Sequence, residues 1–201
     1  MKYLAIDTSG DNLTVIVNGE REEVFFDPAC KINHSTALMP ETEKCLRGAN
    51  VSVKDLDFIA CVVGAGSFTG IRIGVSTAKA LCFANSKPCL KITSFDTIAY
   101  NKKSEKVLAV IDAGHGWYYV AGYDGGKEVL SPEYINAERL EELVKEYKLL
   151  SGAPIKGVLT EVVSLSDGLR AATEAKQNEV TFDLEALTPL YIRKSQAEEG
   201  R

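Results

Sequence analysis

Residues 64 to 74, Gly-Ala-Gly-Ser-Phe-Thr-Gly-Ile-Arg-Ile-Gly, follow the apolar run from Phe58 to Val63 and open a helical pattern. A buried strand that turns through glycines into a helix start presents unpaired backbone amides, and Ser67 and Thr69 add hydroxyls to them. Such a junction suits an anion or a closely approaching backbone. The spacing excludes the common nucleotide loops. Gly64, Gly66 and Gly70 read G-x-G-x-x-x-G instead of G-x-G-x-x-G, and no acidic residue stands about twenty positions on to hold a ribose. Gly70 is followed by Ile71 and Arg72 where a P-loop carries Lys and then Ser or Thr. The alternative is a turn whose glycines let a strand and a helix pack closely.

A second candidate is Asp7-Thr8-Ser9-Gly10, a carboxylate and two hydroxyls at the tip of a hairpin. This set can hold a phosphate or its metal through water, and the same residues are also ordinary turn formers. Ile111-Asp112-Ala113-Gly114 echoes Ala5-Ile6-Asp7-Thr8. Asp7 and Asp112 are therefore candidate paired carboxylates across a cleft, or simply acceptors at two strand ends. His34 and His115 are the only histidines and belong to no H-x-x-x-H or H-E-x-x-H pattern. His34-Ser35 reads as a helix start and His115, between two glycines, as a hairpin tip. Ser67 lacks the G-x-S-x-G elbow. No metal ligand set and no activated nucleophile is signalled.

The elements that must carry these residues follow from periodicity. Tyr3 to Asp7, Leu13 to Asn18 and Glu20 to Phe26 read as three strands in a meander, with Asn18-Gly19 as a two-residue hairpin turn. Leu38, Met39, Cys45, Leu46 and Ala49 recur at helical spacing over about 35–49, and Ile71, Val75, Ala78, Leu81 and Cys82 over about 70–85. Strands are expected at 58–63 and 88–92 and a short helix at 94–100. Lys102-Lys103-Ser104-Glu105 marks a boundary, dividing the chain into lobes 1–103 and 104–201. Beyond it come strands at 107–112, 117–123 and 127–130. A helix capped by Asn136 carries a stripe of Leu140, Leu143, Val144 and Tyr147, and a strand near 157–163 and a helix near 166–176 follow. The second half begins like the first but is shorter.

The chain has 201 residues, 45% hydrophobic and 25% charged, ordinary for a globular protein. Its net charge is −5, with ten basic against eleven acidic side chains up to residue 100 and thirteen against seventeen beyond. Tight binding of a nucleic-acid backbone by this chain alone is disfavoured by that balance. Five cysteines, none closer than seven apart, form neither a zinc motif nor a disulfide framework. The opening residues enter a strand directly and no long apolar span follows, so a cytoplasmic protein without membrane attachment is expected.

The string Gly64 to Gly74, the opening Leu4-Ala5-Ile6-Asp7-Thr8-Ser9, His34-Ser35 before Leu38 and Pro40, and Pro189-Leu190-Tyr191-Ile192-Arg193 together resemble the TsaB family, also called YeaZ. The resemblance runs in order over most of the chain. It implies an α/β, two-lobed ribonuclease H-like fold of the actin, sugar-kinase and heat-shock ATPase type, with the second lobe abbreviated. It further implies a non-catalytic partner of TsaD, with TsaE, in transfer of the threonylcarbamoyl group to the adenosine beside the anticodon of tRNAs reading A-starting codons. No catalytic residue, metal or cofactor of its own is implied, and tRNA is met only through the complex.

The partner surface implied lies on the two first-lobe helices, with Leu38, Met39, Thr42 and Leu46 on one and Ile71, Val75 and Lys79 on the other; some of the apolar residues among them must instead face their own sheet, and the sequence does not assign which. The same surface pairs with a second copy when TsaD is absent. The glycine loop, Gly64, Gly66, Ser67, Phe68, Thr69, Gly70, Arg72 and Gly74, supports that helix pair, and Asp7, Thr8, Ser9 and Asp112 stand closest to any nucleotide. Two departures from the family pattern stand out. Ala65 replaces a usual Pro, and Gly114-His115-Gly116 replaces a usual basic residue after Asp112-Ala113. The competing function is an independent ATP-dependent kinase or ATPase using Asp7, Thr8 and Asp112; a glycoprotease lacks ligands for its metal.

Overall fold

The computed structural model describes residues 1–193. Strands β1 (Tyr3–Asp7), β2 (Leu13–Asn18), β3 (Glu22–Asp27), β4 (Phe58–Val62) and β5 (Cys89–Ile92) form one sheet in the order β3-β2-β1-β4-β5. The meander β1-β2-β3 is antiparallel, while β4 runs parallel to β1 and β5 parallel to β4. β1 and β4 are buried at every position, as unbroken apolar runs inside a covered sheet should be. Helix α1 (His34–Gly48) packs on β2 and β3, and α2 (Phe68–Asn85) on β4 and β1. One apolar core joins Leu4, Ile6, Val15, Leu38, Ile59, Ile71, Val75 and Leu187.

A second sheet, β10-β9-β6-β7-β8, repeats this order. It comprises β6 (Val107–Gly114), β7 (Trp117–Asp124), β8 (Lys127–Asn136), β9 (Lys148–Ser151) and β10 (Glu161–Val162), with the meander again antiparallel and β9 and β10 parallel. The chain thus has the expected α/β fold, two five-stranded ribonuclease H-like sheets. Short helices α3 (Ser94–Ala99), α4 (Ala137–Leu143) and α5 (Leu165–Ala175) complete it. The abbreviation of the second half is local: α2 spans 18 residues between β4 and β5, whereas no helix lies between β9 and β10.

The units do not divide at residue 103. Residues 1–94 and 172–190 form the first, and, among the described residues, 95–171 with 191–193 the second. Returning segment 172–190 is drawn to the first unit because Leu187 sits fully buried in its core and Thr181 exchanges both backbone hydrogen bonds with Cys89, at 2.7 and 2.9 Å. The residues from 194 onward of the expected second lobe lie outside the described residues.

Three local expectations change. Asn18-Gly19 is not a two-residue turn: β3 starts at Glu22, and Glu20 N–H donates instead to Ala49 O at 3.0 Å, so a tertiary contact sets the loop. The helix expected to reach Tyr147 ends at Leu143, and β9 follows, unannounced by four residues of sequence, because Leu149 and Leu150 are buried beside β6. β8 runs on to Asn136 through Pro132, which its place at the sheet edge tolerates.

Candidate functional site

In the first unit the Asp7-Thr8-Ser9 tip and the glycine loop meet. Ser67 N–H donates to Ser9 O at 2.7 Å, and Thr8 Oγ1 donates to Gly70 O at 2.7 Å. A Cβ on Gly66 would collide with the Ser9 carbonyl oxygen, one on Gly70 with the Thr8 carbonyl oxygen, and one on Gly74 would stand 2.5 Å from Thr8 Oγ1. Three of the glycines therefore exist because the hairpin tip lies against them. The loop still begins α2 as its sequence suggests: Ser67 is the N-cap, accepting from Gly70 N–H at 3.2 Å. Arg72 lies over the Phe68 ring, 4.0 Å from its centroid, with both residues exposed along with Gly66, Ser67 and Thr69.

Asp7, Thr8 and Ser9 are buried and spend their polar atoms on their own chain. Asp7 Oδ1 accepts from Ser9 N–H at 2.8 Å and Ser9 Oγ at 2.7 Å, and Asn12 Nδ2 approaches Oδ2 at 3.5 Å. Ser94 Oγ lies 2.9 Å from Ser9 Oγ. His34 donates from Nε2 to the Asn12 carbonyl at 2.8 Å, so this buried histidine opens α1 and also clamps the β1-β2 loop. Burial holds the Asp7 carboxyl above the usual carboxylate range, with the Ser9 hydrogen bonds, Asn12 and the His34 charge pulling the other way. Asn12, His34 and Ser94 are members of this cluster that the sequence reading missed; only the clustering of Asn12 with Asp7 in one turn hinted at it.

Asp112 falls in the second unit, exposed, its Oδ1 accepting from Gly114 N–H at 2.8 Å. Asp7 and Asp112 thus belong to different units and different environments. Among the described residues no three His, Cys, Asp or Glu side chains gather in a way that could hold a metal ion.

Of the seven residues named on α1 and α2, only Met39 is exposed. Leu38, Thr42, Ile71 and Val75 face their own core, Leu46 packs half-buried against it, and Lys79 pairs with Glu185 at 3.2 Å. The Thr42 hydroxyl is buried with no hydrogen-bond partner. The sequence reading left open which of these apolar residues face their own sheet, and the structure turns Leu38, Ile71, Val75 and, in part, Leu46 inward. The outer face carries Met39 and Glu43 on α1 and Arg72, Ser76, Ala80 and Phe83 on α2, the last 82% exposed.

A model of the family described as TsaD, tRNA N6-adenosine threonylcarbamoyltransferase, matches residues 28–157. The tRNA threonylcarbamoyladenosine biosynthesis protein TsaB of Buchnera aphidicola subsp. Schizaphis graminum is 30% identical over 150 residues, 73% of this chain and 70% of that one. The Escherichia coli K12 protein of the same name is 27% identical over 98% of this chain and 96% of its own. In structure, a Pseudomonas aeruginosa protein described as similar to peptidase YeaZ superposes with a TM-score of 0.78 at 24% identity, covering 96% of this chain and 99% of that one, which speaks to the fold. With the family model matching well over half its residues and a TsaB protein 30% identical across most of both lengths, the chain belongs to the TsaB family, within the wider group that the TsaD model describes.

Proposed function

We propose that the chain serves tRNA threonylcarbamoyladenosine biosynthesis, the process for which its TsaB relatives are named. Its part is that of a non-catalytic subunit that docks a TsaD-type threonylcarbamoyltransferase, with TsaE joining the pair. One observation carries the reading: the hairpin tip that would have to take a phosphate is filled by the chain's own glycine loop, with Asp7, Thr8 and Ser9 bonded internally. What remains for function in the first unit is the outer face of α1 and α2, where Ser76 and Ala80 allow close helix approach and Met39 and Phe83 supply apolar contact. A second copy covers the same face when TsaD is absent. No helix among the described residues is long and apolar enough to cross a membrane, and the proposed tRNA substrate places the work in the cytoplasm.

Reconstitution tests this. TsaD and TsaE supplied with ATP, the threonylcarbamoyl donor and tRNA should modify adenosine only when this chain is added, and the chain by itself should not hydrolyse ATP. ATP turnover by the purified chain that disappears in Asp7→Ala would instead establish an independent ATPase.

A further inference from the structure

The second unit carries a cluster that the docking reading does not use. Trp117 and Tyr119, two apart on β7, share one face of the sheet, and Tyr134 on β8 stands opposite Tyr119 in the register. The other face of these strands sends Tyr118, Val120 and Ile135 into the core. Three large rings are thus gathered on the face the core of β7 and β8 does not need. Trp117 and Tyr134 stack with centroids 4.6 Å apart and planes 10° from parallel, and Tyr119 tilts against Tyr134 at 5.4 Å.

Arg193 returns to this face, its guanidinium 5.5 Å from the Tyr134 centroid and its Nη1 donating to the Tyr134 hydroxyl at 3.4 Å. With Ala113, Gly114 and His115, these residues line a hollow of ≈ 390 Å³. The volume falls within the roughly 300–1,000 Å³ typical of small-ligand sites.

The lining selects a chemistry. It offers an indole 39% exposed, a phenol, a guanidinium and an imidazole, with no carboxylate among the described residues that line it; the nearby Asp112 is engaged with the Gly114 amide. Flat π surfaces with an adjacent cation take a planar aromatic ligand that carries negative charge. We infer that this hollow binds a single unstacked nucleobase on the Trp117–Tyr134 stack, with its phosphate at Arg193. Stacking of this kind tolerates any base identity, because every base presents a π face. The ligand is a free nucleoside monophosphate or an unpaired base within RNA, and both present the same group. This site stands on the second unit alone and does not depend on TsaD docking. It also gives a role to Gly114-His115-Gly116, whose glycines have φ of +81° and +77° and hold the hairpin tip beside the hollow.

Trp117 is the only tryptophan of the chain, so its emission reports the site directly. The full-length protein is titrated with AMP, with inorganic phosphate, with an RNA stem-loop and with a fully paired RNA duplex. Saturable quenching by AMP identifies a nucleotide site, and quenching by the stem-loop without AMP identifies an unpaired RNA base. In either case Tyr134→Leu and Arg193→Ala, each checked for unchanged circular dichroism, should weaken half-saturation at least tenfold. The inference is overturned by no saturable change with AMP or stem-loop, by duplex or phosphate acting as well as they do, or by both variants binding like the parent.

Discussion

The two sheets share a strand order, yet their first hairpins end in opposite ways. After β1 the tip is closed: Thr8 and Ser9 are buried under the glycine loop, and the glycines facing them have no room for a side chain. After β6 the tip is open: a Cβ on Gly114 or Gly116 would meet nothing within 4 Å, and both are there for their positive φ. One residue type therefore answers two demands, close approach in the first unit and backbone conformation in the second. The contrast extends to chemistry. All five cysteines are buried in the first unit, burial pushing the thiol of Cys45 to about 11 and of Cys82 to about 12, while the one tryptophan lies in the second. The closed hairpin has become core, and the open one keeps its surface.

The sharpest test of that contrast is alanine at matched glycines. Gly70→Ala improves helix propensity in α2 by about 1 kcal/mol, but its methyl lands on the Thr8 carbonyl, and crowding against backbone should leave a net loss of roughly 3 kcal/mol. Gly114→Ala meets only the left-handed backbone penalty, about 1–2 kcal/mol. Urea unfolding of both variants decides, and equal losses would erase the distinction between the hairpins.

Next in size, a charge on the outer face of α2 should separate the units by function. Ala80→Glu is expected to weaken TsaD co-purification tenfold or more, whereas Val129→Glu, at an exposed position on β8, should leave it unchanged. Loss of TsaD from Val129→Glu and not from Ala80→Glu would move the docking surface to the second unit.

The smallest effect concerns the buried aspartate of the closed hairpin. Burial raises the Asp7 carboxyl, so the folded chain holds that proton more tightly than the unfolded chain does. The stability this contributes is complete below the ordinary carboxylate range and is lost as pH rises through the raised native value. Asp7→Asn keeps an acceptor for Ser9 and removes the ionisation. Its urea midpoint should fall less than the parent's between mildly acidic and neutral pH. A parent-like pH profile in Asp7→Asn would mean that the buried carboxyl is not the group responsible.

Much of this was readable before any coordinates. Unbroken apolar runs at β1 and β4 announced a covered sheet, Ser67 announced the start of α2, and the Asp7 and Asp112 echo announced duplication. What stayed hidden depends on groups far apart in sequence. Nothing local tells Gly70 that Thr8 will be its neighbour, 62 positions away, or tells His34 that it will reach Asn12. The helix faces were left unassigned for a related reason. An apolar stripe shows which side of α1 or α2 is buried, and a surface kept for a partner then has to be sought among the small and exposed residues opposite it. Trp117, Tyr119 and Tyr134 were similarly out of reach, because only the register of β7 on β8 stacks them.

The return of residues 172–190 to the first unit has a consequence for synthesis. A ribosome that has translated the first five strands has not yet made Leu187, which closes their core, or Thr181, which pairs along β5. The nascent sheet must wait, with its β5 edge unpaired, until Thr181 and Leu187 have been made. Completion of the first unit therefore comes only after residues 95–171 of the second have been made, and a stop before Leu187 leaves the first five strands without the residue that closes their core.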